Sequence, residues 1–264
     1  MIKTEGQPLH ARPHRLDQVK LALAKAEFQK LESTGIIRRS DSHWASPLLI
    51  GPVTRPDWYP LPNLLDFTNN LRGCKFFSRL DLVKGYNQVP MSEADICKTA
   101  IVTPFGLFEF LYMPFGLKNA AQTFQRLMDR IFRGLTFVFI YLDDVLVVSW
   151  NRKLHTKHLQ VVLELLVQIG LVLNLDKCSF VENEIEYLGH KITANGIVPL
   201  HRHVDALLLQ PHPQDVRGLQ RFLGMINFYC RFLPGIARTL RPPTDALAGN
   251  PRIINIPGVT RHLC

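Results

Sequence analysis

The chain has 264 residues, 47% hydrophobic and 20% charged, long enough for one large or two small domains around a buried core. That composition excludes intrinsic disorder, a collagen-like repeat and a disulfide-stapled mini-protein. The net charge is +9, with 9 basic against 6 acidic groups in residues 1–60, 14 against 13 in 61–200 and 8 against 3 in 201–264. Basic flanks around a near-neutral centre suit a phosphate-backbone partner, although many basic proteins bind none.

The first residues, MIKTEGQPLHARPHR, lack the apolar core of a signal peptide, and 1–16 reads as an extended arm with Pro8 and Pro13. Asp17 is a candidate N-cap for a helix with Val19, Leu21, Leu23, Ala24, Phe28 and Leu31 on its stripe, ending near Gly35. Leu48–Val53 predicts a strand, Pro56, Pro60 and Pro62 an irregular stretch, and Phe76–Leu82 a strand with Asp81 among apolar neighbours. Ile101–Val102 and Phe108–Met113 predict two strands joined through Pro104 and Gly106. The spacing of Ala120, Phe124, Leu127, Met128 and Ile131 predicts a helix over 119–133.

Phe137–Ile140 and Val145–Val148 predict a buried hairpin with Tyr141-Leu142-Asp143-Asp144 at its turn. A long helix follows, from Leu154 to a stop at Gly170, with His155 and His158 on a solvated face. Leu171–Leu175, Phe180–Val181, Tyr187–Leu188 and Lys191–Thr193 are short strand candidates. Val204–Leu209 and Asp215–Phe232 are helical and basic, His201, His203 and His212 lie in a Pro-flanked loop, and 250–264 has no pattern. Strands and helices without strict alternation indicate the α+β class. Cys74, Cys97, Cys178, Cys230 and Cys264 are odd in number and form no C-x-x-C pair, so reduced thiols in an intracellular protein, cytoplasmic or nuclear, are expected. The acids at 143 and 144 interrupt the most apolar stretch, which is therefore no membrane span, and no membrane partner is expected.

Asp143 and Asp144 sit between runs that call for burial, where adjacent carboxylates repel unless a cation joins them. A lone Asp-Asp would read as a solvent-exposed turn, because Asp favours turns. Asp81, set in a second apolar strand, tilts the reading. Two acidic strand sites make a hard-oxygen site for Mg²⁺, and two ions so held can clamp the attacking and leaving oxygens of a phosphoryl transfer.

The segments FSRLDLVKGYNQVPM, KTAIVTPFGLFEFLYMPFGLKNAAQTFQRLMD and FVFIYLDDVLVVS resemble, in this order, the reverse transcriptase of gypsy-type LTR retrotransposons. GIIRRSDSHWASPL upstream and LVLNLDKCSFVENEIEYLGHKIT and LQRFLGMINFYCRFLPGIA downstream extend the resemblance over about residues 7–249. It implies a right-hand polymerase, with fingers and palm over 17–200, a thumb-like segment over 201–249, and Mg²⁺-dependent transfer of nucleotides from dNTPs to a primer 3′-hydroxyl on an RNA or DNA template. Two Mg²⁺ ions are implied, with Mn²⁺ as a substitute, held by Asp81, Asp143 and Asp144. Leu82 and Val83 match the backbone amides that meet the triphosphate, and Tyr86 the aromatic beneath the sugar that excludes a 2′-hydroxyl. Phe115, Gly116 and Lys118 match the loop lining nucleotide and template. Tyr141 belongs to the Tyr-x-Asp-Asp turn beside the primer. Tyr187, Leu188, Gly189 and His190 resemble the hairpin that grips the primer end. Arg217 and Arg221, with Arg231, Phe228 and Tyr229, are candidates for holding template–primer backbone.

Two departures stand out. Val53 runs straight into Thr54-Arg55-Pro56-Asp57-Trp58-Tyr59-Pro60-Leu61-Pro62, where the family carries a polar fingers hairpin whose Lys and Arg meet the triphosphate. After the thumb-like segment, NPRIINIPGVTRHLC does not resemble the ribonuclease H domain that follows in the family, and Cys230 stands where FYxRF has Arg. Two readings therefore follow: a polymerase core, or an impaired relic or co-opted nucleic-acid-binding protein that keeps the fold.

Overall fold

A computed structural model of the chain describes residues 2–8, 10–13, 15–46, 54–202, 205, 209 and 215–229. The strands are β1 (Ile37–Arg39), β2 (Phe76–Asp81), β3 (Ile101–Thr103), β4 (Gly106–Phe110), β5 (Val138–Tyr141), β6 (Asp144–Ser149), β7 (Ser179–Glu182), β8 (Glu184–Tyr187), β9 (His190–Thr193) and β10 (Gly196–Pro199). The helices are α1 (Gln18–Ser33), α2 (Thr68–Leu71), α3 (Glu93–Ile96), α4 (Ala120–Ile131), α5 (Arg152–Ile169) and α6 (Val216–Tyr229). The chain divides into two compact units, Met1–Ile185 and Glu186–Cys264, so the division falls within β8, ahead of residue 200, where the sequence pattern changes.

In the first unit, β5-β6-β2-β7 form one antiparallel sheet. β6 is buried along Val145–Ser149, because its two faces are both covered. Val145 and Val147, with Leu80, Val138 and Ile140, pack against Phe124 and Met128 of α4 and Leu159, Val162 and Leu166 of α5. Phe139, on the alternate parity of β5, meets Phe67 with ring centroids 5.3 Å apart. Asn151 caps α5 by accepting the Leu154 N–H at 2.8 Å, and Gly170 ends it at φ 78°, a value that suits a residue without Cβ.

A smaller antiparallel sheet, β1-β4-β3, buries Ile37, Phe108 and Phe110. α1, capped by Asp17 as the sequence predicts, touches that cluster through Phe28 and Leu31 and has no fully buried residue. Beside it the arm runs extended: Thr4 bridges Thr54, the Arg55 N–H donates to Lys3, and His10 bridges Ala45. A further three-stranded sheet has the order β10-β9-β8, with β9 and β10 antiparallel, and in the second unit α6 buries Leu219 and Ile226.

Three expectations need correction or limits. Leu171–Leu175 forms no strand: a single bridge joins Leu173 to Leu82, Asn174 N–H donates to Asp81, and a 3₁₀ turn begins at Leu175. The alternation of leucines there records burial of Leu171 and packing of Leu173, not a ladder. His155 does not face solvent. It is fully buried between Ser78 and Ser149, while the His158 ring stacks on Phe137 at 3.6 Å and 8°. Leu48–Val53, most of Val204–Leu209, the side chains of Phe228 and Tyr229, and Cys230, Arg231 and 250–264 lie outside the described residues.

Candidate active site

β2 ends in Asp81 and β6 begins at Asp144, and the antiparallel register makes the two direct partners. Tyr141 pairs with Asp144 across the hairpin, leaving Leu142 and Asp143 as the two turn residues. Asp143 is tied to the third strand end by its carbonyl, which accepts the Leu82 N–H at 3.3 Å. Burial pushes the Asp144 carboxyl above the usual range, and the charges of Asp143 and Asp81 push it further. Arg79 and Lys177 oppose that shift, and the Lys177 ammonium lies 3.9 Å from Asp81.

These acids fit a hard divalent cation by donor type and by their mutual repulsion, which a cation would offset. They are not drawn into one cage: among the described residues no group of three His, Cys, Asp or Glu side chains is close enough to hold a metal ion.

The triphosphate amides expected at Leu82 and Val83 are occupied. Leu82 N–H is spent on Asp143, and Val83 N–H donates to Val172 at 3.0 Å. Gln88 locks the second contact, its amide donating to the carbonyls of Val83 and Val172 and accepting from Val172 N–H. Lys84 then turns the chain at φ 45°, ψ 55° into Gly85. Gly85 is packed so closely that a Cβ would stand 3.0 Å from Asp143 Cβ and from Phe124 Cζ.

Tyr86 is half-buried, edge-on to Phe115 at 4.9 Å and to Phe124 at 5.1 Å. Burial, then the charges of Asp143 and Tyr141, push its phenol above the ordinary value. Phe115 is 57% exposed, and Gly116 turns at φ 87°. Lys118 spends a donor on the Thr54 carbonyl at 3.0 Å, so it anchors the segment that begins there. Arg55 in that segment pairs with Glu5, and Lys84 beyond β2 lies 3.9 Å from Glu27. In the second unit Tyr187 is 1% exposed, a core ring, and Leu188 and Gly189 turn β8 into β9 at φ 45° and 77°. His190 Nδ1 lies 2.8 Å from the Leu188 carbonyl. Arg217 and Arg221 are exposed, four residues apart on α6.

Sequence reasoning missed Gln125, buried on α4, and Gly85. The signal for Gln125 was a polar residue at core spacing ahead of Met128 and Phe132, all three buried.

Residues 28–192 match the family described as reverse transcriptase (RNA-dependent DNA polymerase). The retrovirus-related Pol polyproteins from transposons 297 and gypsy of Drosophila melanogaster are 34% and 30% identical over 95% and 93% of this chain. The Transposon Tf2-3 polyprotein of Schizosaccharomyces pombe is 28% identical over 93% of it. This chain spans about a quarter of those relatives, 26%, 26% and 20% of their lengths. Among solved structures, a foamy viral protease-reverse transcriptase in complex with double-stranded DNA aligns at TM-score 0.85 and 18% identity, covering 94% of this chain and 47% of that one. The foamy viral enzyme with an RNA/DNA hybrid aligns at 0.81 and 19%, covering 94% and 36%. The fold is therefore the right-hand polymerase fold. The chain belongs to the reverse transcriptase family.

No helix among the described residues is long and apolar enough to cross a membrane.

Proposed function

We propose that the chain is the RNA-directed DNA polymerase core of a retrotransposon Pol polyprotein, adding nucleotides from dNTPs to a primer 3′-hydroxyl on an RNA or DNA template and releasing pyrophosphate. The observation that carries this is the register that sets Asp81 opposite Asp144, with Asp143 beside them in a two-residue turn. Mg²⁺, or Mn²⁺ in its place, would be held by these carboxylates and would supply charge stabilisation at the attacking and leaving oxygens. The protein's share of catalysis is positioning and fixed charge, so no protein nucleophile is needed. Tyr86, wedged between Phe115 and Phe124, is stiff enough to support a sugar ring and to exclude a 2′-hydroxyl. Phe115, exposed beside it, offers an apolar face to the nucleotide or template, and Arg217 and Arg221 offer charge to phosphate. Primer extension on an RNA template with the purified chain tests the reading, and no extension with Mg²⁺ or Mn²⁺ at saturating dNTP removes it.

A second reading, a nucleic-acid-binding protein with impaired nucleotide use, is favoured by the spent amides of Leu82 and Val83 and by the pairing of Arg55 with Glu5. Charge-assisted contacts to phosphate are worth ~1.5–3 kcal/mol each, so lacking two weakens nucleotide use by roughly two to four powers of ten. The dNTP dependence, with and without a grafted fingers hairpin, separates the two. Full-rate extension at low micromolar dNTP by the chain as it stands excludes the impaired reading.

A further inference from the structure

Leu142, first residue of the acidic turn, has φ 56°. In a two-residue hairpin that position belongs to Gly, and a leucine there is strained by about 1–3 kcal/mol unless its surroundings impose it. Gln125 supplies the imposition from α4. Its Oε1 accepts the Leu142 N–H at 2.8 Å, and its Nε2 donates to the Ile140 carbonyl at 3.1 Å, so one amide grips the backbone on both sides of Tyr141. The second Nε2 proton goes to Asp129 Oδ1 at 2.8 Å. Reversing the amide would set oxygen against a carboxylate and a carbonyl, so the network dictates its orientation.

Asp129 is in turn held from outside the sheet. Its Oδ2 accepts the Tyr59 hydroxyl at 2.6 Å, an interaction that holds the phenol above its ordinary range. Tyr59 is seated by Arg126, whose guanidinium lies 4.5 Å from the ring centroid and donates to both oxygens of Asp57 at 2.8 Å. Tyr59 therefore reports the state of the segment that follows the absent fingers hairpin.

We propose that Tyr59, Asp129 and Gln125 form a positioning relay that holds the Leu142–Asp143 turn in its strained shape and couples the 54–59 segment to the carboxylates. It rests on the polymerase reading for its consequence, but not for its geometry. The relay touches backbone, not substrate. Its loss should lower kcat and leave the KM for dNTP and the affinity for template–primer nearly unchanged.

The test uses the full chain in four forms: wild type, Gln125→Met, Tyr59→Phe and the double variant. Gln125→Met keeps the volume and removes the amide, so a role in packing alone would survive it. Amide hydrogen exchange at Leu142 should quicken about tenfold in Gln125→Met and a few-fold in Tyr59→Phe, with no further gain in the double variant. In primer extension, kcat should fall roughly ten- to a hundredfold in Gln125→Met, the scale on which misplaced groups act. Unchanged Leu142 exchange in folded Gln125→Met, additive gains in the double variant, or full kcat overturns the relay. Should Gln125→Met fail to fold, unchanged exchange in Tyr59→Phe overturns it alone. A wild type that never extends primers, yet shows the expected exchange pattern, removes the polymerase reading and leaves the relay standing.

Discussion

The two ends of the β2–β6 pair solve opposite problems. At one end Asp81 faces Asp144, with Asp143 adjacent, and the charges work against one another. At the other end β2 and β6 are joined by a closed polar network. Ser78 of β2 accepts the Val181 N–H and meets His155 Nε2 at 2.7 Å, and Ser149 of β6 meets His155 Nδ1 and His158 Nδ1, each at 2.8 Å. A neutral His155 that accepts from Ser78 and donates to Ser149 satisfies the chain, since each hydroxyl both gives and receives. Buried polar groups that are fully paired stabilise a fold, whereas the carboxylates at the first end are in conflict, which the proposed cation would relieve. The same two strands carry both.

The sharpest way to break this contrast is at the conflicted end. Asp143→Asn should abolish primer extension while leaving template–primer affinity within about twofold, because in the proposed reading phosphate is held by the exposed Arg217 and Arg221, which the substitution does not touch. Filter binding and extension on one preparation check it. Extension that persists in both Asp143→Asn and Asp81→Asn would take those residues out of the mechanism.

At the satisfied end the effect is on stability. His155→Leu removes one hydrogen bond from each of the buried hydroxyls Ser78 and Ser149, which keep Val181 N–H and His158 as partners, and should cost about 2–3 kcal/mol in urea unfolding. Acid should do the same without mutation. Burial, then the neighbouring His158, lowers His155 from 6.5 to about 4. A folded pKa below the unfolded one means that its contribution is whole above pH 6.5 and is lost as pH falls through about 4. The loss should reach on the order of 3 kcal/mol, and His155→Leu should flatten that part of the stability–pH curve.

Two smaller effects sharpen the comparison. Gly85→Ala forces a methyl group against Asp143 Cβ and Phe124, each 3.0 Å from it, and should cost roughly 1–3 kcal/mol and slow extension. Thermal unfolding with Asp143→Asn as the reference separates the two losses. Asp144→Asn removes a carboxylate that its setting disfavours, so it should raise stability by up to about 1 kcal/mol without divalent cation. In wild type Mg²⁺ should raise the melting temperature, and in Asp144→Asn that rise should shrink.

Much of this arrangement was legible in the sequence. Acids embedded in apolar runs are costly, so Asp81, Asp143 and Asp144 announced themselves, and caps such as Asp17 with stops such as Gly170 gave the helix ends. What stayed hidden depends on contacts between distant residues. His155 shares the spacing of Leu159, Val162 and Leu166, all buried, but its adjacency to His158 and its polarity suggested a wet face. Leu142 carries no residue preference for positive φ, since the shape is imposed by Gln125 across seventeen residues of sequence. Occupation of the Leu82 and Val83 amides was invisible because Asp143 and Val172 lie far along the chain. The strand expected over Leu171–Leu175 failed because alternation reports burial, while a ladder needs a partner with a free edge.

β2 is one of the two inner strands of its sheet, yet both of its neighbours, β6 and β7, come later in the chain. During synthesis at ~5–20 residues per second, the segment FFSRLD waits roughly 3–14 s after emerging before β6 exists to cover one side, and longer for β7. Through that interval it presents two unpaired edges and a row of apolar side chains, the form in which a nascent chain is most prone to aggregate or to need a chaperone. The topology that sets the carboxylates together thus also leaves the ribosome-bound chain with an uncovered strand for that interval.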